Sequence, residues 1–402
     1  MTQNRTIPTY LFMMPWEPSD IGGGVNEVVH NLWAQMERDG AFRPMMLVPS
    51  WDHRAPQHAV IAGRRTVFYR LRLPWTRDGS NFANVLGLLK ELPGTTLRLV
   101  GLLRKEHVVA VNFHYPTTAA LWPVLLRQLG LYRGRVSLTF HNTDIWVALQ
   151  ARGMERAIWR YILRHADSCI AVSDHLRDQV LELSPAAKAV TIHNGLDFDR
   201  FLAERDPAFR LDARLLRTDF VLSVGSFNVQ KGQDTLIEAF ASICSEFPEL
   251  LLVLVGKSAP FLPEIRSRIE RFGLADRVLI FTDLPHGHLL DFYARARLFV
   301  LPARREGFGL VFLEAGMFAL PVVASDVGGI PEVVQDRETG RLVPPDDPAL
   351  LAAAMLELLR HPDQARALAL RHRRAVEDKF SWPTAYRAYK ALAPVPSSNH
   401  MV

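Results

Sequence analysis

A chain of 402 residues, 49% hydrophobic and 22% charged, can bury two or three ordinary α/β domains, which excludes a disordered or fibrous protein. Its net charge of +5 is too mild to indicate nucleic-acid binding and fits an anionic substrate or a membrane surface. The two cysteines, Cys169 and Cys244, sit in apolar segments as reduced core residues do; no metal-type Cys or His spacing occurs, and no window approaches the roughly eighteen apolar residues that cross a bilayer.

The polar start, MetThrGlnAsnArg, and the short apolar run Tyr10–Met14 do not make a signal peptide, so a cytoplasmic protein is expected. Short apolar runs at 6–14, 43–50, 66–71, 107–114, 136–142, 168–173 and 189–195 predict strands, mostly separated by helical patterns. The alternation restarts after about residue 200, with strands at 220–227, 250–257, 278–283, 298–303, 320–326 and 340–344. Near-continuous apolar strands alternating with helices read as parallel sheets covered on both faces. Thirteen such strands are too many for one sheet, so the expected class is α/β with two doubly wound Rossmann-like domains. Boundaries are expected at 1–196 and 197–380, with Asn194-Gly195 as the hinge signal. From 381 a helical tail with Trp382 and Tyr386 is expected to pack back on the first domain, and ProSerSerAsnHisMetVal at the end reads as disorder.

The richest segment is ArgGluGlyPheGlyLeuValPheLeuGluAlaGly at 305–316. Glu306 and Glu314 stand eight positions apart around a Gly307-Phe308-Gly309 turn, and Glu314 is the only charged residue among the nineteen from Gly307 to Ser325. On a helix beginning after Gly309 it would lie on or beside the buried face, with Leu310, Val311, Met317 and Phe318 around it. A carboxylate there needs something to satisfy it. The helix-start amides form an anion site. A phosphorylated, polyhydroxylated ligand would explain both features. In open parallel sheets ligands bind beyond the carboxyl ends of strands. Lys231, between the strand at 220–227 and a helix, and Glu306, after the strand at 298–303, both fall on that rim; a solvated loop lysine is the other reading of Lys231. In the first half, IleGlyGlyGlyVal at 21–25 opens a helix, and His141 ends a strand. The glycines fit neither a dinucleotide fingerprint nor a P-loop. Alone they read equally as a tight turn, and the histidine as a packing residue.

Taken together, these pieces resemble the retaining glycosyltransferases of family four, which have the two-Rossmann GT-B architecture. The matching pieces run in the family's order: the glycines at 22–24, HisAsnThrAsp at 141–144, AspHisLeuArgAspGlnVal at 174–180, HisAsnGlyLeuAsp at 193–197, ValGly…LysGly at 224–232, GluGlyPheGlyLeu…Glu at 306–314, GlyGlyIleProGlu at 328–332 and GlyArgLeuValPro at 340–344. The resemblance implies two domains facing across a cleft, with a nucleotide-sugar site in the second and an acceptor site in the first. Glu314 would hold the ribose hydroxyls and Lys231 the diphosphate. Amides from Phe308 to Leu310 would touch phosphate and sugar, and Asp283-Leu284 would lie near the base. Glu306 and His141 would contact the transferred sugar, and Gly23 and Gly24 the diphosphate. The reaction implied is transfer from a nucleotide-diphosphate sugar, a co-substrate, to a glycan or lipid-linked acceptor, with retention and with neither cofactor nor metal.

One position departs from the family. Similar enzymes carry Arg where this chain has Ser226, and Arg304 or Arg305 would have to supply the missing cation. AspPheAsp at 197–199 resembles a metal-binding Asp-x-Asp, but it lies at the hinge between two complete sheets. A glycosidase would use Glu306 and Glu314 as an acid/base pair, with no purpose for the phosphate-type site. A nucleotide-sugar epimerase and a non-catalytic sugar-nucleotide binder are the remaining alternatives. For the acceptor, the loops near 15–25, 51–58, 74–84 and 114–118 carry Trp16, Trp51, Trp75, Phe82 and Tyr115, as stacking platforms or as packing. Arg152, Arg156, Arg160 and Arg164 recur every fourth residue, either as a solvated face or as a stripe for peripheral contact with anionic lipid at the inner face of the membrane.

Overall fold

The computed structural model describes residues 7–17, 23–50, 52–71 and 82–393, the side chains of 82–88 excepted. Gly22, Trp51, Trp75, the Phe82 side chain and the terminal tail therefore lie outside the described residues. The chain forms two compact units, one of 1–193 with 383–402, the other of 194–382.

The first unit is built on eight strands: β1 (Thr9–Met13), β2 (Arg43–Ser50), β3 (Gln57–Ile61), β4 (Arg64–Arg70), β5 (Val108–His114), β6 (Arg135–Phe140), β7 (Ser168–Ala171) and β8 (Ala189–Thr191). Their order is β3-β4-β2-β1-β5-β6-β7-β8. Every residue of β1 is buried, as a strand sandwiched between helical layers requires. Leu11 is in register with Met45 on one side and Val111 on the other, both parallel. β3 is not among the expected strands and runs antiparallel to β4. It was hidden because an exposed edge strand, GlnHisAlaValIle, lacks the apolar run of a central one. Its connection is the tight turn Ala62-Gly63, both with positive φ (49° and 72°), which suits a two-residue hairpin. The C-terminal helix Trp382–Leu392 belongs to this unit from Pro383 onward: Tyr386 Oη and Lys390 Nζ both donate to Asp39 Oδ2, at 2.6 and 2.7 Å.

The second unit is built on β9 (Phe220–Val224), β10 (Leu251–Gly256), β11 (Val278–Thr282), β12 (Leu298–Leu301), β13 (Val322–Ser325) and β14 (Arg341–Val343). All pairs are parallel, in the order β11-β10-β9-β12-β13-β14. The order reverses between β9 and β12, which makes the carboxyl rim of these two strands the topological switch point where ligands bind in open parallel sheets. Val221, Leu252, Leu254, Leu298 and Val300 seal the sheet against the helices Gln233–Ile243 and Pro348–Arg360. Asp347 starts the second of these helices by accepting from Leu350 N, with Pro348 at its first position.

Candidate active site

The loop after β9 runs through Gly225 and Ser226 to a single 3-10 turn, Val229–Lys231, then turns at Gly232 into the helix Gln233–Ile243. Gln233 Nε2 ties the loop down, donating to the carbonyls of Gly225 and Ser226 at 3.1 Å each. The loop after β12 lies beside it, Arg304 N donating to Gln230 O at 2.8 Å. From these two loops Lys231 Nζ and Glu306 Oε2 meet at 2.6 Å, both side chains mostly sheltered. Glu306 Oε1 accepts from Gly307 N at 3.1 Å. A third loop, after β13, fixes the Glu306 backbone: Gly329 N donates to Glu306 O at 3.1 Å. Gly328, at φ 59°, packs so closely that a Cβ would stand 1.9 Å from that carbonyl oxygen. Only glycine fits there.

Gly309 is the left-handed residue that opens the helix Leu310–Met317; Phe308 is buried and Leu310 partly so. Glu314 is buried on this helix, at 4% exposure. The carboxylate that needs something to satisfy it finds partners within the protein, so its burial by itself does not imply a ligand. Tyr293 Oη donates to Oε2 at 2.7 Å, and His286 Nε2 lies 3.0 Å from Oε1. Burial, then the adjacent Glu314 charge, push the Tyr293 phenol well above its usual pKa, so it remains a donor. His286 stacks on Phe201 at 4.4 Å and reaches Glu204 Oε2 at 3.1 Å through its other nitrogen. Burial opposes ionisation of Glu204, but His286 and Arg200 outweigh it and hold the carboxyl below its usual range. The result is a Glu204–His286–Glu314 chain. None of Glu204, His286 and Tyr293 was found from the sequence; the ProHisGlyHis run at 285–288 was the only local signal.

Asp283 leaves β11 at positive φ and clamps the neighbouring loop, accepting from Ser258 N at 3.0 Å and Ser258 Oγ at 2.5 Å. Those bonds lower its pKa. Leu284 follows, half-buried. Arg304 is not a spare cation in place of the absent arginine at Ser226. It grips Asp234 through two 2.8 Å bonds and Asp346 through one of 2.5 Å. Asp197 of the Asp-x-Asp run caps the helix Phe198–Ala203 by accepting from Arg200 N at 3.0 Å.

In the first unit, Gly23 caps and Gly24 begins the helix Gly24–Asp39 that follows β1. Trp16, in the loop between them, donates to Asn26 Oδ1 at 2.9 Å and meets the Tyr115 ring edge-on at 5.0 Å. His141 follows β6 and is 7% exposed. Asp144, in the first turn of the helix Thr143–Gln150, holds its backbone by accepting from His141 N at 2.9 Å and Asn142 N at 2.8 Å. Burial raises Asp144 to about 6 against these bonds, and burial lowers His141 to about 3, so the imidazole is neutral. The arginine stripe on the helix Gly153–His165 is partly structural. Arg156 donates to Leu149 O at 3.0 Å and Arg160 to Leu183 O at 3.1 Å, each at the end of a neighbouring helix.

No helix among the described residues is long and apolar enough to cross a membrane.

The model of the Glycosyltransferase Family 4 domain matches residues 22–200, and that of Glycosyl transferases group 1 matches 212–374. A D-inositol 3-phosphate glycosyltransferase of Segniliparus rotundus is 34% identical over 96% of this chain and 90% of its own. A GDP-mannose-dependent phosphatidylinositol monomannoside mannosyltransferase of Mycobacterium tuberculosis is 32% identical over 73% of this chain and 78% of its own. Among solved structures, the sucrose-phosphate synthase of Thermosynechococcus elongatus superposes with a TM-score of 0.74 at 26% identity, over 96% of this chain and 98% of that one. The Anabaena protein HepE, solved with UDP-glucose, shares the fold with a TM-score of 0.69 at 18% identity, over 94% and 97%. With family models matched in both halves and a relative one-third identical along nearly the whole length, this chain belongs to glycosyltransferase family 4 and has the GT-B fold.

Proposed function

We propose that the protein transfers a sugar from a nucleotide-diphosphate sugar to a hydroxyl of a glycan or lipid-linked acceptor, with retention of configuration and without a metal. The observation that carries this reading is the Lys231–Glu306 pair at the switch point of the second sheet, with Glu306 shortly before the start of the helix Leu310–Met317 and Glu314 on that helix. Before substrate arrives, Lys231 and Glu306 neutralise each other. A bound diphosphate takes the Lys231 charge and the helix-start amides. Glu306 then accepts from hydroxyls of the transferred sugar, and Glu314 from the ribose. The bond from the anomeric carbon to the phosphate oxygen breaks as the acceptor hydroxyl adds to the same face, and the departing phosphate takes the hydroxyl proton. Lys231 and the amides stabilise the negative charge that develops on the leaving group, which needs no metal in this scheme.

The relatives named for phosphatidylinositol and inositol phosphate acceptors support a polyhydroxylated, anionic acceptor, in keeping with the net charge of +5. Arg152, Met154 and Val147 are all exposed, and we infer that they offer a surface for a lipid-borne one.

The test is incubation with GDP-mannose, UDP-glucose and an ADP-sugar separately, following nucleotide release and sugar identity. Slow release from one donor, unaffected by EDTA and accelerated by acceptor extract to give a product with retained anomeric configuration, is the expected result. New sugar without release would indicate an epimerase, and binding with neither would indicate a non-catalytic binder.

A further inference from the structure

Behind His141 the first sheet buries a line of polar side chains. Tyr10 on β1, Asn112 and His114 on β5 and Thr139 on β6 are each no more than 2% exposed. Asn112 Oδ1 accepts from Thr139 Oγ1 at 2.9 Å. Asn112 Nδ2 lies 3.0 Å from Tyr10 Oη and 3.1 Å from His114 Nε2. In this orientation both amide hydrogens have acceptors and the amide oxygen has a donor. The reverse orientation would crowd both hydrogens toward the single Thr139 hydroxyl and leave one unused.

His114 Nε2 accepts from Asn112, so the one hydrogen of a neutral His114 ring sits on Nδ1. That nitrogen is 3.1 Å from His141 Nε2, which must therefore accept, and the hydrogen of His141 is left on Nδ1. Both rings are neutral: burial, and for His114 next the neighbouring ring's charge, hold their pKa values far below the usual one. The bonds from Asp144 to the backbone amides of His141 and Asn142 keep the ring at this spot on the rim.

We infer that Asn112 and His114 fix His141 as its Nδ1–H tautomer, so that it meets the substrate as a neutral hydrogen-bond donor. Resting on the glycosyl-transfer reading above, that donor serves a hydroxyl oxygen of the transferred sugar. Neutrality matters there. Glycosyl transfer develops positive charge on the sugar ring, as glycoside hydrolysis does, and an imidazolium beside it would oppose the reaction. Asn112 and His114 are positioning residues that act only through His141.

The test begins without any ligand. In the full chain with histidine-selective nitrogen labelling, long-range proton–nitrogen correlation NMR should show single Nδ1–H tautomers at His114 and His141. An Nε2–H tautomer at either ring, or exchange between forms at His141, would overturn the inference. Two variants connect it to turnover. His114→Asn leaves an amide N–H near the place of Nδ1, whereas His114→Phe removes the donor. For whichever of GDP-mannose, UDP-glucose and the ADP-sugar the wild type turns over, His114→Phe should lower kcat roughly ten- to a hundredfold with KM within about threefold. His114→Asn should recover most of that loss and the single His141 tautomer. Equal losses in the two variants, or none in His114→Phe, would refute it. If the wild type turns over no nucleotide sugar, the glycosyl-transfer reading fails, while the tautomer assignment still stands or falls on the spectra.

Discussion

Glu314→Gln is the sharpest test of the nucleotide site. The carboxylate is buried and already accepts from Tyr293 Oη at 2.7 Å, with His286 at 3.0 Å. Two carboxylate oxygens offer about four acceptor positions, so two ribose hydroxyls can be added without displacing either partner. Glutamine has nearly the same shape but one acceptor oxygen and no charge. It keeps the Tyr293 bond and offers the ribose at most one neutral bond in place of two charge-assisted ones. With about 1.5–2 kcal/mol for each charge-assisted bond and about 1 kcal/mol for a neutral one, the loss is about 2–3 kcal/mol. That corresponds to roughly a thirty- to 150-fold rise in Kd. Isothermal titration with GDP, UDP and ADP measures it, using whichever nucleotide the wild type binds. Urea unfolding serves as the control, where weakening one Tyr293 bond should cost only about 1 kcal/mol. A Kd within threefold of wild type, in a variant that folds normally, would refute the assignment of Glu314 to the ribose.

Gly328→Ala should separate the two glutamates. The left-handed backbone penalises alanine by about 1–2 kcal/mol, and the new methyl group must displace the Glu306 carbonyl, 1.9 Å from its ideal position. Turnover of the nucleotide sugar should fall further than affinity for the free nucleotide, which in the proposed scheme Glu314 and Lys231 hold; equal loss of both would argue against separate roles. His372→Leu should stabilise the second unit, because His372 is fully buried against Gly316 and neither ring nitrogen has a hydrogen-bond partner among the described residues. Relief of an unpaired buried group is worth about 1–3 kcal/mol. The gain should widen on acidification. Burial depresses His372 to about 4, below the unfolded value of 6.5. The stability it permits is thus present above the unfolded value and is lost as pH falls toward the folded one. Between pH 7 and pH 5 the wild type should lose about 2 kcal/mol that the variant keeps. A difference in urea midpoints that stays constant with pH would contradict this.

Much of the fold was legible because parallel strands buried on both faces are continuously apolar. The runs at 43–50 and 107–114 coincide within a residue with β2 and β5. Strand ends were overrun where an apolar residue packs in a loop: Phe227 is fully buried three residues beyond β9. The edge strand β3 was missed for the opposite reason, since the mostly exposed Gln57–Ile61 offers only the short apolar run Ala59-Val60-Ile61.

What the sequence determined by itself was local. It showed which residues stand at strand ends, that Gly309 opens a helix, and that Glu314 lies about a turn into that helix on its buried side. Local periodicity carries that information, because neighbours in the chain are neighbours on the element. The tertiary structure decided the pairings. Lys231 meets Glu306 across 75 positions, Tyr293 and His286 satisfy Glu314, and His114 backs His141 across 27. In a parallel sheet adjacent strands are separated in sequence by a whole crossover, so side chains that converge on one rim come from segments whose spacing reveals nothing of their contact.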